Sequence, residues 1–75
     1  MIPRLSPAKP AQVVKVLQRA GFRLVRQSGS HAVYRHPDGR WMTVANHPGK
    51  TIPKGTLRKI IRDAGLTVAE FNRLF

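Results

Sequence analysis

"FRLVRQSGSHAVYRHPDGRWMTVAN", residues 22–46, decides the fold. "FRLVRQ" (22–27) is rich in strand formers, and "SGS" (28–30) reads as a turn. "HAVYRH" (31–36) reads as a second strand. "PDG" (37–39) is a hairpin turn: Pro37 presets its backbone angle, Asp38 favours a turn and Gly39 can take positive φ. "RWMTVAN" (40–46) is then a third strand, with Met42 and Val44 on one face and Trp41 and Thr43 on the other. His31 falls where a loop becomes a strand. Alternation puts it with Val33 and Arg35, but Val33 and Tyr34 could each point inward, so the face it occupies stays open.

Helices bracket this meander. Pro10 suits a first helical position because it has no N–H to leave unpaired. Val13, Val16, Leu17 and Ala20 recur at helical spacing, and Gly21 is a left-handed stop. After the loop "HPGKTIPKG" (47–55), Thr56 reads as the N-cap of a second helix. Leu57, Ile60, Ile61 and Ala64 form its core face, and Gly65 ends it. Thr67 to Glu70 is a capping-box pattern that opens a short last helix, with Phe71 and Leu74 inward. Residues 1–9 read as a loose arm. The expected architecture is α+β in a single domain, residues 1–75: helix, three antiparallel strands, helix, short helix. The helices should cover one sheet face and leave the other partly open.

A chain of 75 residues buries only about 60% of the surface its unfolded form exposes, so one core of modest stability is expected. There is no cysteine, hence no disulfide, thiolate nucleophile or Cys-based zinc site. Three histidines and three acids make a poor metal site, and no cofactor is expected. No apolar run suits a signal peptide or a membrane span, so a soluble cytoplasmic protein is expected. Fourteen Lys and Arg set the formal charge at +11, and no acid precedes Asp38. Such a field attracts polyanions. Nucleic acid is the first partner class, an acidic protein or anionic membrane surface the next, and a merely solvated basic surface the plain alternative.

Gly21-Phe22, Gly29-Ser30-His31, Tyr34, the His36-Pro37-Asp38-Gly39 turn, Asn46-His47 and "GTLRKIIRDAGL" stand in an order and spacing that resemble the HicA toxin family, the YcfA-like mRNA interferases. The resemblance runs from about Pro10 to Leu74. It implies a fold like a double-stranded-RNA-binding domain and ribosome-independent cleavage of mRNA without a required metal. It also implies a catalytic histidine at His31 and a HicB-type antitoxin partner. The antitoxin should cover His31 and the basic face. One departure is visible: Ala45 stands where the family usually has a proline before the Asn-His pair.

The residues support this chemistry in part. RNA supplies its own nucleophile, the 2′-hydroxyl. Cleavage needs a group to take that proton, a group to protonate the leaving 5′ oxygen, and cations for the charge on phosphorus. Histidine, with an unperturbed pKa of roughly 6.5, serves either proton role. Nearby Arg and Lys favour its neutral form and so the base role. Gly29 lets the chain approach a phosphate, and the turn N–H groups of Ser28, Gly29 and Ser30 can bind anion oxygens. On its own, a histidine opening a strand is more often a satisfied polar residue.

His36 and His47 each precede proline, which usually means turn chemistry; His47 is the better second proton carrier. Tyr34 reads as core. Trp41 reads either as an open stacking platform or as part of the antitoxin interface. Lys50, Lys54, Arg58, Lys59 and Arg62 form the densest basic block, either a solvated helix face or a set of backbone contacts, with Lys54 just before a helix N-terminus. Arg23, Arg26 and Arg35 come from adjacent strands, and the last two could flank His31. Three other readings compete: a non-catalytic RNA-binding module, a helix-turn-helix DNA binder built on "TLRKIIRDAGLTVAEFNRLF", and a basic protein-binding adaptor.

Overall fold

The computed structural model describes residues 5–47 and 49–75. Its elements run α1 (Pro10–Arg19), β1 (Arg23–Ser28), β2 (His31–Arg35), β3 (Trp41–Ala45), α2 (Lys54–Asp63) and α3 (Val68–Leu74). The strands form one antiparallel sheet in the order β1-β2-β3. This is the α+β arrangement of a double-stranded-RNA-binding domain, with a short third helix added. No helix among the described residues is long and apolar enough to cross a membrane.

Alternation sets the inward face of the sheet. Ala32 and Tyr34 of β2 and Met42 and Val44 of β3 are buried. They pack with Val13, Val16 and Leu17 of α1, Leu57, Ile60 and Ile61 of α2, and Phe71 of α3. Burying one such aliphatic side chain contributes about 1.5–3 kcal/mol, so each is a sizeable part of a small domain's stability. Tyr34 is therefore core, and burial pushes its phenol pKa up. The opposite face carries His31, Val33 and Arg35 of β2 with their partners Ala45, Thr43 and Trp41 of β3. Pairing thus resolves the parity that alternation alone left open.

Several boundaries differ from the sequence reading. Ser28 belongs to β1 and pairs with His31, leaving Gly29-Ser30 as the hairpin loop. Gly29 has φ +57°, the left-handed region that glycine enters without penalty. His36 lies outside β2; its amide donates to the carbonyl of Arg40 at 2.8 Å and closes the second hairpin. Within β1, Val25 is an extra residue between the Leu24–Tyr34 and Arg26–Val33 pairs, a bulge that bends this edge strand.

Thr56 is not the N-cap of α2. The N-cap is Pro53, three residues earlier, because Pro53 at φ −62° presets the entry and its carbonyl accepts from the Leu57 amide at 2.9 Å. Lys54 is accordingly the first helical residue rather than the one before the helix. The capping box of α3 forms as expected: Thr67 Oγ accepts from the Glu70 amide and the Glu70 carboxylate accepts from the Thr67 amide. Phe71 is buried and Leu74 packs partly against the core, so α3 spends its apolar face inward.

Residues 5–9 are not a loose arm. Leu5 and Ala8 are buried in the core, and Ala8 pairs with Ile52 through two backbone hydrogen bonds, 2.7 and 3.4 Å. The apolar side chains and this bridge hold the segment down. Residues 1–4 of the expected arm lie outside the described residues.

Candidate active site

The carboxyl end of β3, the loop after it and the first turns of α2 enclose a cavity of about 300 Å³. His31, Thr43 and Ala45 line it from the sheet; His47, Lys50 and Thr51 from the loop; and Thr56 and Ile60 from α2. His31 reaches it because it pairs with Ala45 at the end of the ladder. His47 reaches it because it follows Ala45 by two residues. The Asn46 amide donates to the Ser30 carbonyl at 2.6 Å, holding the chain before His31 beside the chain before His47.

The chemistry of the cavity follows from its lining. It holds two imidazoles, those of His31 and His47. Lys50 brings a positive charge, and Thr43, Thr51 and Thr56 bring hydroxyls. No carboxylate lines it, for the chain has only Asp38, Asp63 and Glu70. Two of these are engaged elsewhere. Asp38 accepts from the amide and the guanidinium of Arg40, at 3.0 and 2.7 Å, and Glu70 sits in the α3 cap. Among the described residues, no three His, Asp or Glu side chains gather as a metal site.

The remaining sequence-predicted residues divide. Ser28, Gly29 and Ser30 form the hairpin end beside His31 but do not line the cavity. Arg26 opposes Val33, two pairs along the ladder from the His31 end, and Arg35 stands at the far end of β2. Neither flanks the cavity. Lys59 lines a second groove, of about 430 Å³, shared by Trp41, Met42 and Thr43 of β3 and by Thr56, Ile60 and Asp63 of α2. Lys54 is exposed in the first turn of α2; Arg58 and Arg62, one turn apart, are exposed and line neither space.

His36 is a turn residue. Its Nδ1 accepts from the Asp38 amide at 3.1 Å, and its ring meets Phe22 edge-on at 5.3 Å. The threonines were missed, although alternation already set Thr43 beside Trp41. The missing information was that α2 lies along β3, which no local pattern states. Arg40 was missed too. Its guanidinium stacks 5.3 Å from the Phe22 ring and donates to the Ala64 carbonyl, tying the hairpin turn to the end of α2.

A comparison with curated proteins finds no match. A family model, described as the HicA toxin of bacterial toxin–antitoxin systems, matches residues 10–66. That span runs from the first residue of α1 past the end of α2 and contains both histidines of the cavity. The chain belongs to the HicA toxin family.

Proposed function

We propose that this toxin is a metal-independent endoribonuclease that cuts mRNA, with His31 and His47 as its two proton carriers. Membership in the family makes the chain the toxin of a toxin–antitoxin pair and an antitoxin its partner. The observation that carries the enzymatic reading is the cavity shared by His31, His47 and Lys50. His31 takes the proton of the 2′-hydroxyl as that oxygen attacks phosphorus. The bond from phosphorus to the 5′ oxygen breaks, and His47 gives that oxygen its proton. The products are a 2′,3′-cyclic phosphate and a free 5′-hydroxyl. Lys50 offsets the charge that grows on the phosphoryl oxygens.

RNA carries its own nucleophile, so this route asks the protein only for proton transfer and charge. The substrate would meet the toxin in the cytoplasm, where mRNA is. A HicB-type antitoxin inhibits most simply by covering the cavity and the cations around it.

The test is a digest of a long single-stranded RNA by wild type and His31→Ala, with and without EDTA, alongside circular dichroism of both. Cleavage in EDTA that leaves cyclic phosphate ends and is lost in the folded variant supports the reading. Equal cleavage by both, or binding without cleavage by either, returns His31 to a structural role and leaves an RNA-binding module.

A further inference from the structure

The open face of the sheet holds a feature that proton transfer at His31 does not use. Trp41 is 61% exposed, and Val25, beside it on this face, is 57% exposed. Trp41, Val25, Val33 and Arg35 line a shallow depression on the sheet. Arg23 pairs with Arg35, Arg26 with Val33, and Trp41 stands directly opposite Arg35. This face therefore sets one large aromatic ring among three arginines, with no carboxylate on it. Trp41 also forms one end of the β3–α2 groove with Lys59; Asp63 is the single acid there. That groove shares Thr43, Thr56 and Ile60 with the His31 cavity. A continuous concave path thus runs from His31 past Lys59 to Trp41. Along β3 it spans the five residues Trp41 to Ala45, four steps or about 13 Å.

We propose that Trp41 stacks on an unpaired base of the same RNA strand that is cut at His31, the strand lying along the β3–α2 groove between them. This rests on the ribonuclease reading and adds a second point of contact to it. Single-stranded nucleic acid is held by aromatic faces set within a positive groove, and this path has both. A protein partner of an apolar face needs a contiguous apolar patch, whereas here arginines interrupt Val25, Val33 and Trp41. Duplex RNA offers no free base face, so the site selects single strands. It also places the contacted base at a set distance to one side of the cut.

Trp41 is the only tryptophan in the chain, so its fluorescence reports this contact directly. The experiment titrates the His31→Ala protein, which leaves RNA intact, with a mixed-sequence single-stranded RNA oligonucleotide, a duplex of the same sequence and an abasic ribose-phosphate oligomer. Binding is followed in parallel by anisotropy of labelled RNA. The expected result is saturable quenching by the single strand alone. Trp41→Ala, added to the same protein, should weaken single-strand binding roughly 5- to 150-fold, the range for loss of one base–aromatic stack, with Trp41→Phe retaining most of it. Because Trp41 is exposed, these variants keep the core intact.

Equal quenching by duplex or abasic oligomer, or RNA binding with unchanged emission and no effect of Trp41→Ala, overturns the proposal. So does a Trp41→Ala toxin that binds RNA normally but escapes its antitoxin, which would give this face to the protein partner. A wild-type protein that neither binds nor cuts RNA overturns the ribonuclease reading itself, a result separable from the others by the anisotropy signal.

Discussion

The Asn46 amide donates to the Ser30 carbonyl at 2.6 Å, one step beyond the His31–Ala45 pair that ends the β2–β3 ladder. This bond ties together the two chain segments that carry His31 and His47. Asn46→Pro removes the donor while keeping the extended backbone that Ala45 already has, since proline favours extended conformations before it. The loss costs about 0.5–1.5 kcal/mol of stability. The larger expected effect is on cleavage, because the two imidazoles no longer share one geometry. Asn46→Ala keeps the amide and should cleave close to wild type. Rates and melting curves of both variants check this; equal activity in the two would show that the bond does not position the site.

His47 should protonate the leaving oxygen. His47→Ala is expected to lower kcat about 10²- to 10⁴-fold on RNA. A uridine 3′-phosphodiester with an activated phenolate leaving group needs no such proton. On that substrate His47→Ala should recover, while His31→Ala stays inactive. A His47→Ala defect that persists at full size on the activated substrate would place His47 in binding rather than acid catalysis.

Gly65 takes φ +71°, and a Cβ there would lie 2.8 Å from Nη1 of Arg40. Gly65→Ala should therefore destabilise by about 1–2 kcal/mol from the left-handed backbone, with the Arg40 contact added. Arg40→Ala removes the contact and also the tie from hairpin turn to α2. The two effects in the double variant should sum to less than their separate values, and thermal unfolding of all four proteins measures the coupling. Strict additivity would mean that Arg40 yields freely.

The acid limb of stability belongs to two carboxylates. The Arg40 amide, then its guanidinium, holds the Asp38 pKa below the usual carboxylate range. The Thr67 amide, then its hydroxyl, does the same for Glu70. Both folded pKa values are depressed, so the stabilisation is present above the ordinary range, roughly pH 4, and is lost as pH falls through the lower folded values. Melting temperatures should fall in that window, and Asp38→Asn with Glu70→Gln should flatten the slope. An unchanged slope would assign the acid limb elsewhere.

Much of this was legible because it is local. The period-2 pattern of Met42 and Val44, the helical stripe of Leu57, Ile60 and Ile61, the Pro37-Asp38-Gly39 turn and the Thr67–Glu70 cap each depend on near neighbours in the chain, and each stands in the structure. Their order, with Gly29-Ser30-His31 and Asn46-His47 at their spacings, was enough to point to the HicA toxin family.

What only the tertiary structure decided was long-range. Whether His31 faces the core or solvent depends on register against β3, because one residue of slip exchanges the faces of a strand. That Leu5 and Ala8 are held down depends on Ile52, more than 40 residues away. The cations between Lys50 and Arg62 come from both the loop and α2, so where each one lies depends on how α2 packs. Lys50 and Lys59 face the cavity and its groove, while Arg58 and Arg62 do not line them. Strand pairing brings His31 and His47 together, and Thr56 joins them only when α2 lies along β3, where burial of Leu57 and Ile60 beneath the sheet holds the helix.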